Sequence, residues 1–553
     1  MEVSFKNNGM QNKMNIDDLN DDPAIANYLA SSFKSACTPN DEQKENEFRN
    51  KYFSTKAKNI GKESSFIIDV ESVDRSINRI ACNKAAGFDS VSIENIKYAH
   101  PSLVIILNTF FNILLFTGLV PDDFGTGVTT PIPKFKGNKK SANADDFRGI
   151  TICPVISKVF EHCLKEHFEN INTSIRQFGF KEGVGCNNSL HSVRKVVRYF
   201  NNRKSTVNLG IIDLRKAFDK VNTYGLLCML QDKNVDIKII NVIENWLSKS
   251  STVIKWGKVF SDSVPLLSGV KQGGILSPLL FTLFVDIVLA KLEDSGLGCF
   301  INFTCYNSFM YADDIILLGI TVTDLQQMFN LCFDVFKDLD LPINISKCHC
   351  LRIGPRCNVR CSAITLQDSI IPWVENTKFL GVTLFRAKYF KCDWSESKGK
   401  FYCSVNIILG RLGTSASASV LLKLLNSQGV PNLLYGIAAT TLCEIELRSF
   451  IFAYNSMFAK VFKTFDPYTI SCCQYYCGYF SFNLLYDQHR YLFLKKLINN
   501  AYLHKASSLD NLDYKDFVAL QSKYNFNRGD SNATIKRKVW LFFEQQINIG
   551  NLL

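Results

Sequence analysis

Apolar positions along this chain change their spacing several times, and each change marks an element. Ile25, Leu29 and Phe33 recur at helical spacing after Asp22-Pro23, which reads as an N-cap with proline at the first helical position. Pro39 to Arg49 is densely charged and reads as a solvated stretch. Val73, Ile77 and Ile80 predict a second helix. Leu103 to Val120 is apolar enough to suggest a membrane span. Asn108, Asn112 and Gly118 interrupt it, however, and Pro121-Asp122-Asp123 ends it, so a buried core helix is the reading. Leu276 to Leu292 contains Asp286 and opens on Ser277-Pro278, and it is read in the same way. Val128 to Lys134 reads as a strand stopped by prolines, and Asp146 to Ile152 as a second, with a basic loop of Lys136, Lys139 and Lys140 between them.

Two places combine an apolar run with acids. Phe309-Met310-Tyr311-Ala312-Asp313-Asp314-Ile315-Ile316-Leu317-Leu318 has apolar runs on both sides of two adjacent carboxylates, the pattern of a β-hairpin with acids at its tip. Like charges repel in such a turn, and a divalent cation removes that cost. Upstream, Leu209-Gly210-Ile211-Ile212 is an apolar strand ending at Asp213. Two strands that each deliver a carboxylate to one sheet edge can hold two Mg²⁺ ions. Taken alone, Asp213 reads equally well as the cap of a following helix.

Tyr311-Ala312-Asp313-Asp314, together with Asp213-Leu214-Arg215-Lys216-Ala217-Phe218-Asp219, resembles the catalytic segments of reverse transcriptases. Ser268-Gly269-Val270-Lys271-Gln272-Gly273-Gly274-Ile275-Leu276-Ser277-Pro278 lies between them in the order of that family and resembles its third signature. The resemblance is nearest to enzymes of non-LTR (LINE-type) retrotransposons and covers roughly residues 20 to 470. It implies an α+β fold, a right-hand polymerase with fingers, a palm built on an antiparallel sheet, and a helical thumb. It implies RNA-directed DNA synthesis from an RNA template, a DNA primer and dNTPs. Two Mg²⁺ ions, or Mn²⁺ in their place, would sit on Asp213, Asp313, Asp314 and the carbonyl of Leu214.

Further roles come from the same resemblance. Lys134 and Arg148 match the pair that grips the nucleotide triphosphate, a task suited to charge-assisted hydrogen bonds. The family form has proline after that arginine, whereas Gly149 stands here. Phe218 matches the aromatic that lies under the sugar and blocks a 2′-hydroxyl; as a bare residue it could equally pack into the core. It follows Asp213 at an odd offset, so the chain must turn between them for both to line one site. The role of Asp219 stays open. Gln272 and Gly273 match residues near the nucleotide and template, with paired glycines allowing close backbone approach. Lys347 matches a lysine that donates a proton to departing pyrophosphate. Phe379, Leu380 and Gly381 lie in the hairpin that holds the primer end. Lys84 to Asp89 resembles the turn that opens the fingers, and Gln177 to Gly183 is a further family stretch. Arg194, Lys195 and Arg198 on the helix after it could track a template strand or simply face solvent.

Composition narrows the partners. With 63 basic and 51 acidic residues among 553, the formal charge of +12 is compatible with a polyanionic ligand. The 19 cysteines are odd in number and scattered, without a secretory leader before them, which reads as reduced thiols of an intracellular protein. No membrane partner is expected. A catalytically silent nucleic-acid-binding remnant is the rival reading, opposed by the presence of all three carboxylates.

The expected organisation is an N-terminal extension over 1–65, disordered at its start and with one short helix. Fingers follow over 66–205, palm over 206–384, helical thumb over 385–470 and a helical tail over 471–553. Cys472, Cys473, Cys477 and His489 in the tail lack the paired short intervals of a zinc site. LINE-type polymerases usually work with an endonuclease. The first 65 residues are short and polar, and the tail shows no ordered Asp, Glu and His cluster. The expectation is therefore a 5′-truncated copy or a nuclease acting in trans.

Overall fold

A computed structural model describes residues 15–17, 19–58, 64–134, 141–169, 171, 173–413, 415–500 and 511–550. The start of the chain and the basic loop of Lys136, Lys139 and Lys140 lie outside the described residues. The chain divides into two compact units that each draw on several stretches: 1–174, 214–290 and 331–344 in the first, and 175–213, 291–330 and 345–553 in the second.

The first unit is built on a sheet in the order Phe147–Ile152, Thr126–Pro133, Ser251–Trp256, Val259–Phe260, with Val264–Pro265 also against Ser251–Trp256. Thr129, Thr151 and Thr252 are buried on these strands and hydrogen-bond each other at 2.6–2.7 Å, which satisfies hydroxyls that burial would otherwise penalise. The helix Asp22–Ala36 lays Ile25, Leu29 and Ala30 against Phe147 and Ile254. Its N-cap is Asp21, not Asp22: the Asp21 side chain accepts the Ala24 N–H, and Pro23 falls inside the first turn.

Two expectations are corrected here. The charged stretch is largely the start of a helix, Glu42–Lys58, rather than plain solvated chain. It is anchored by the fully buried Tyr52, whose hydroxyl donates to Glu244 at 2.8 Å. The presumed core helix is Ser102–Thr117, and it buries only one stripe, Leu107, Phe111, Leu114 and Leu115. Ile105, Ile106, Ile113 and Phe116 are exposed, because its neighbours Val70–Arg79 and Ile237–Ser248 leave that side uncovered. Ser277–Asp294, by contrast, is apolar and buried around most of its circumference.

The second unit centres on a four-stranded antiparallel sheet ordered Ser308–Tyr311, Asp314–Gly319, Val207–Ile212, His349–Ile353. All six residues of Val207–Ile212 are buried, so its continuous apolar run is covered on both faces. Leu209 and Ile211 share a core with Val193, Val196 and Val197 of the helix Cys186–Asn202. On the other face Gly210 leaves room for Phe329 and Leu325; a Cβ there would lie 2.6 Å from Phe329. The same apolar core continues through Ser395–Leu412, Ala418–Gln428 and Glu444–Phe462 to Phe517, Val539 and Phe543 near the C-terminus. All 19 cysteines are free. Among the described residues, no helix is long and apolar enough to cross a membrane.

Candidate active site

In the second unit the strand Val207–Ile212 ends immediately before Asp213, as its apolar run predicts. Ser308–Tyr311 and Asp314–Gly319 form the expected hairpin, with Tyr311 opposite Asp314 and only Ala312 and Asp313 in the turn. The register pairs Ile315 with Ile212, so Asp213 and Asp314 fall one step beyond that pair, side by side. Adjacent strands lie about 4.8 Å apart. Three carboxylates therefore come from two neighbouring strand ends.

The turn is held by residues of the Gln177–Gly183 family stretch, to which the sequence assigned no role. Ala312 has φ +57, a conformation that costs a non-glycine residue roughly 1 kcal/mol. Its N–H is taken by the Gln177 Oε1 at 3.1 Å, and the same oxygen accepts the Gly179 N–H at 2.9 Å. The main chain of 176–178 runs along the hairpin edge, with Phe178 N–H on Met310 O at 2.8 Å and Met310 N–H on Arg176 O at 3.0 Å. Gly179 is where this strip comes closest: a Cβ there would fall within 3.0 Å of Ala312 N.

Asp213 Oδ2 is buried and makes no hydrogen bond; Lys347 Nζ lies 3.3 Å from it as an ion-pair partner. Lys347 ends the single turn Ile345–Lys347, and its side chain is 65% exposed, so it can leave this pairing freely. Among the described residues, no three His, Cys, Asp or Glu side chains form a group that could hold a metal ion by themselves. Mg²⁺ is usually held by one or two carboxylates plus substrate phosphates rather than by an all-protein cage. An unbonded Asp213 oxygen beside the acid hairpin fits that pattern.

Also in this unit, Asn376–Phe379 and Val382–Phe385 form the second expected hairpin. Leu380 (φ +46) and Gly381 (φ +78) are both left-handed, as a two-residue turn of type I′ requires. Phe379 is 1% exposed and supports the turn from the core, leaving Leu380 and Gly381 at the tip. Arg194 and Lys195 neither track a surface strand nor face solvent. Both are buried, with Arg194 on Asp513 and the Lys195 ammonium 5.2 Å over the Tyr306 ring. Asp513, fully buried, also takes His191 at 2.9 Å and Arg490 at 2.6 Å. Burial alone would raise its pKa, but the His191 hydrogen bond and the two guanidiniums hold the carboxyl far below the usual range. His191 itself is pushed down to about 4 by burial and stays neutral.

The first unit carries the other candidates. Lys134 follows Thr126–Pro133 and donates from Nζ to the Asp145 carbonyl at 2.8 Å. Arg148 is exposed on the paired strand, opposite Ile132. Lys216 pairs with the Asp145 carboxylate at 2.7 Å and is the main cause of its lowered pKa. Gly149 stays in the strand, paired with Pro131, and its departure from the family has a local reason. A Cβ there would lie 2.9 Å from Thr129 Cγ2 and 3.1 Å from Phe33.

The chain does turn after Leu214, which is buried and bridges to Ile343; Lys216 sits at φ +51. Phe218 stacks on Phe281 with centroids 4.5 Å apart and planes 16° from parallel, while its carbonyl accepts the Val270 N–H at 2.8 Å. Gln272 donates from Nε2 to Asp219 Oδ1 at 3.1 Å, which gives Asp219 a role: it fixes the glutamine. Burial raises the Asp219 pKa and this hydrogen bond opposes the rise. Gly273, at φ +140, makes its close approach to the protein's own backbone, since a Cβ would strike Thr151 O. Beneath this loop Glu161 accepts the Leu276 N–H at 2.7 Å, and burial pushes its carboxyl up to about 7.

Residues 132–384 match the family described as reverse transcriptase (RNA-dependent DNA polymerase). A Pol polyprotein of the type-2 retrotransposable element R2DM of Drosophila melanogaster is 24% identical over 335 residues, covering 59% of this chain and 31% of that protein. A Pol polyprotein of the type-1 retrotransposable element R2 of Nasonia vitripennis is 28% identical over 279 residues, covering 50% and 26%. Apo telomerase from Candida tropicalis aligns over 79% of this chain and 74% of its own at 12% identity, with a TM-score of 0.40. The chain spans about a third or less of the length of these two curated relatives.

The matched domain and the antiparallel sheet with its acid-tipped hairpin define an α+β fold of the right-hand polymerase class. The curated relatives narrow the likeness further: the proteins that this reverse transcriptase domain is similar to are polymerases of non-LTR, LINE-type retrotransposons.

Proposed function

We propose that this chain is an RNA-directed DNA polymerase that adds dNTPs to a DNA primer annealed to an RNA template. The observation that carries this reading is the register that sets Asp213 beside the Asp313-Asp314 hairpin at one sheet end. These three carboxylates, with the Leu214 carbonyl, would hold two divalent cations, Mg²⁺ or Mn²⁺. Such ions lower the pKa of the primer 3′-hydroxyl and neutralise charge on the departing phosphate.

The chain's own residues do the rest. Asp313 and Asp314 hold negative charge at a turn that Gln177 keeps in place. Lys134 and Arg148 grip the triphosphate, with Lys216 adding charge at Asp145. Phe218, braced by Phe281, lies under the sugar and excludes a 2′-hydroxyl. Gln272, held by Asp219, faces the nucleotide and template alongside Gly273. Lys347 leaves Asp213 to donate a proton to pyrophosphate. The Leu380–Gly381 turn, backed by Phe379, holds the primer end. In this reading 66–205 are fingers, 206–384 palm, 385–470 thumb and 471–553 a helical tail.

The test is Mg²⁺-dependent extension of a labelled primer on an RNA template. Asp213→Asn and Asp313→Asn should each abolish extension while template binding persists, because backbone grip comes from basic residues elsewhere. Extension by either variant above roughly one per cent of wild type would count against the carboxylate assignment.

A further inference from the structure

We propose that Tyr435 is a positioning residue for the primer end, its hydroxyl fixing the place of the Leu380–Gly381 turn. The inference rests on reading Phe379–Gly381 as the turn that grips the primer. That turn carries a cost, since a leucine at φ +46 lies in the left-handed region that disfavours a side chain. An outside group holds it: the Leu380 carbonyl accepts the Tyr435 hydroxyl at 2.7 Å.

The tyrosine is itself seated on the hairpin. It follows the short helix Val430–Leu434 and precedes Gly436, which sits at φ +80. A Cβ on Gly436 would lie 2.9 Å from Val382 Cγ2 and 3.2 Å from Trp394, so only glycine lets this segment lie so close. From the other side, a Cβ on Gly381 would stand 3.2 Å from the Tyr435 ring. Turn and tyrosine thus bracket each other. The tyrosine is nevertheless 42% exposed.

The same tyrosine reaches toward the acid hairpin. Burial, and then the neighbouring Cys186, Tyr311 and Asp314, hold the Tyr435 hydroxyl well above its usual pKa. Tyr311 immediately precedes the Ala312–Asp313 turn. Tyr435 thus bonds the turn that would hold the primer and neighbours the hairpin that carries the acids.

Tyr435→Phe keeps the ring and removes only the hydroxyl. In primer extension the KM for annealed primer should rise about five- to tenfold, the worth of one hydrogen bond, with the KM for dNTP and the melting temperature unchanged. Gly436→Ala, which lifts the segment off Val382, should raise the same KM and, unlike Tyr435→Phe, also lower the melting temperature. A second readout needs no catalysis: fluorescence anisotropy with a primer–template duplex having a recessed 3′ end, against a blunt duplex. Wild type should favour the recessed end, and Tyr435→Phe should lose that preference. An unchanged primer KM and a retained preference in the folded variant would overturn the proposal. If wild type extends no primer yet the end preference is still lost, the polymerase reading fails and the positioning role stands.

Discussion

Gly179→Ala tests how tightly the acid hairpin must be placed. Only one methyl group is added, and Gly179 has an ordinary negative φ, so the backbone conformation itself tolerates alanine. The difficulty is space. The new Cβ would fall under 3.0 Å from Ala312 N, and 3.1 Å from both Ala312 Cα and Gln177 Oε1, where ordinary contact begins at 3.4 Å. Two of these atoms are backbone, so no rotamer change relieves the clash, and the strip or the turn must back off by about 1 Å, at a cost of ~1–3 kcal/mol. The turn is the easier to move, since Ala312 already strains at φ +57 and the Gln177 hydrogen bond to its N–H would stretch with it. Asp313 is the next residue. A 1 Å error in catalytic placement can cost on the order of a hundredfold in rate. The assay is steady-state primer extension on an RNA template, with melting temperature measured in parallel. Gly185→Ala is the control, because a Cβ there meets nothing within 4 Å. The expected result is a fall of about a hundredfold in kcat for Gly179→Ala, with modest destabilisation, and near-wild-type behaviour for the control. A folded Gly179→Ala protein within threefold of wild type would refute the reasoning, because the hairpin tip would then tolerate the shift.

Two further outcomes are expected. Asp513→Ala leaves the buried Arg194 and Arg490 guanidiniums without their shared carboxylate, and should cost about 3–5 kcal/mol in a urea unfolding titration; a loss below 1 kcal/mol would mean the arginines find other partners or water. Phe218→Ala removes the ring braced on Phe281 and should raise ribonucleotide incorporation at least about tenfold relative to dNTPs. Unchanged discrimination in an active variant would assign Phe218 to the core alone.

The local patterns that sequence could determine were those with a short period and a strong chemical contrast. Strand Val207–Ile212 ending at Asp213, and an apolar hairpin with Asp313-Asp314 at its tip, follow from apolar runs meeting acids, which no packing alternative disguises. The hairpin turning at Leu380–Gly381 was expected from the family resemblance alone, and its left-handed geometry came only with the structure. Tertiary structure decided which polar groups are buried and what they face. Nothing local separates Arg194 on a solvated helix face from Arg194 clamped on Asp513, because the partner lies 319 residues away in sequence. Helix Ser102–Thr117 is apolar over much of its surface, yet which stripe is covered depends on where its neighbours lie. Gly179, Gly273 and Gly436 look alike in sequence; only the built backbone shows that Ala312, Thr151 and Val382 occupy the space where each side chain would go. Sequence determined where charge and apolar surface alternate along the chain, since that is a property of neighbours. Contacts between distant segments set burial, partners and clearance, and these the fold alone decided.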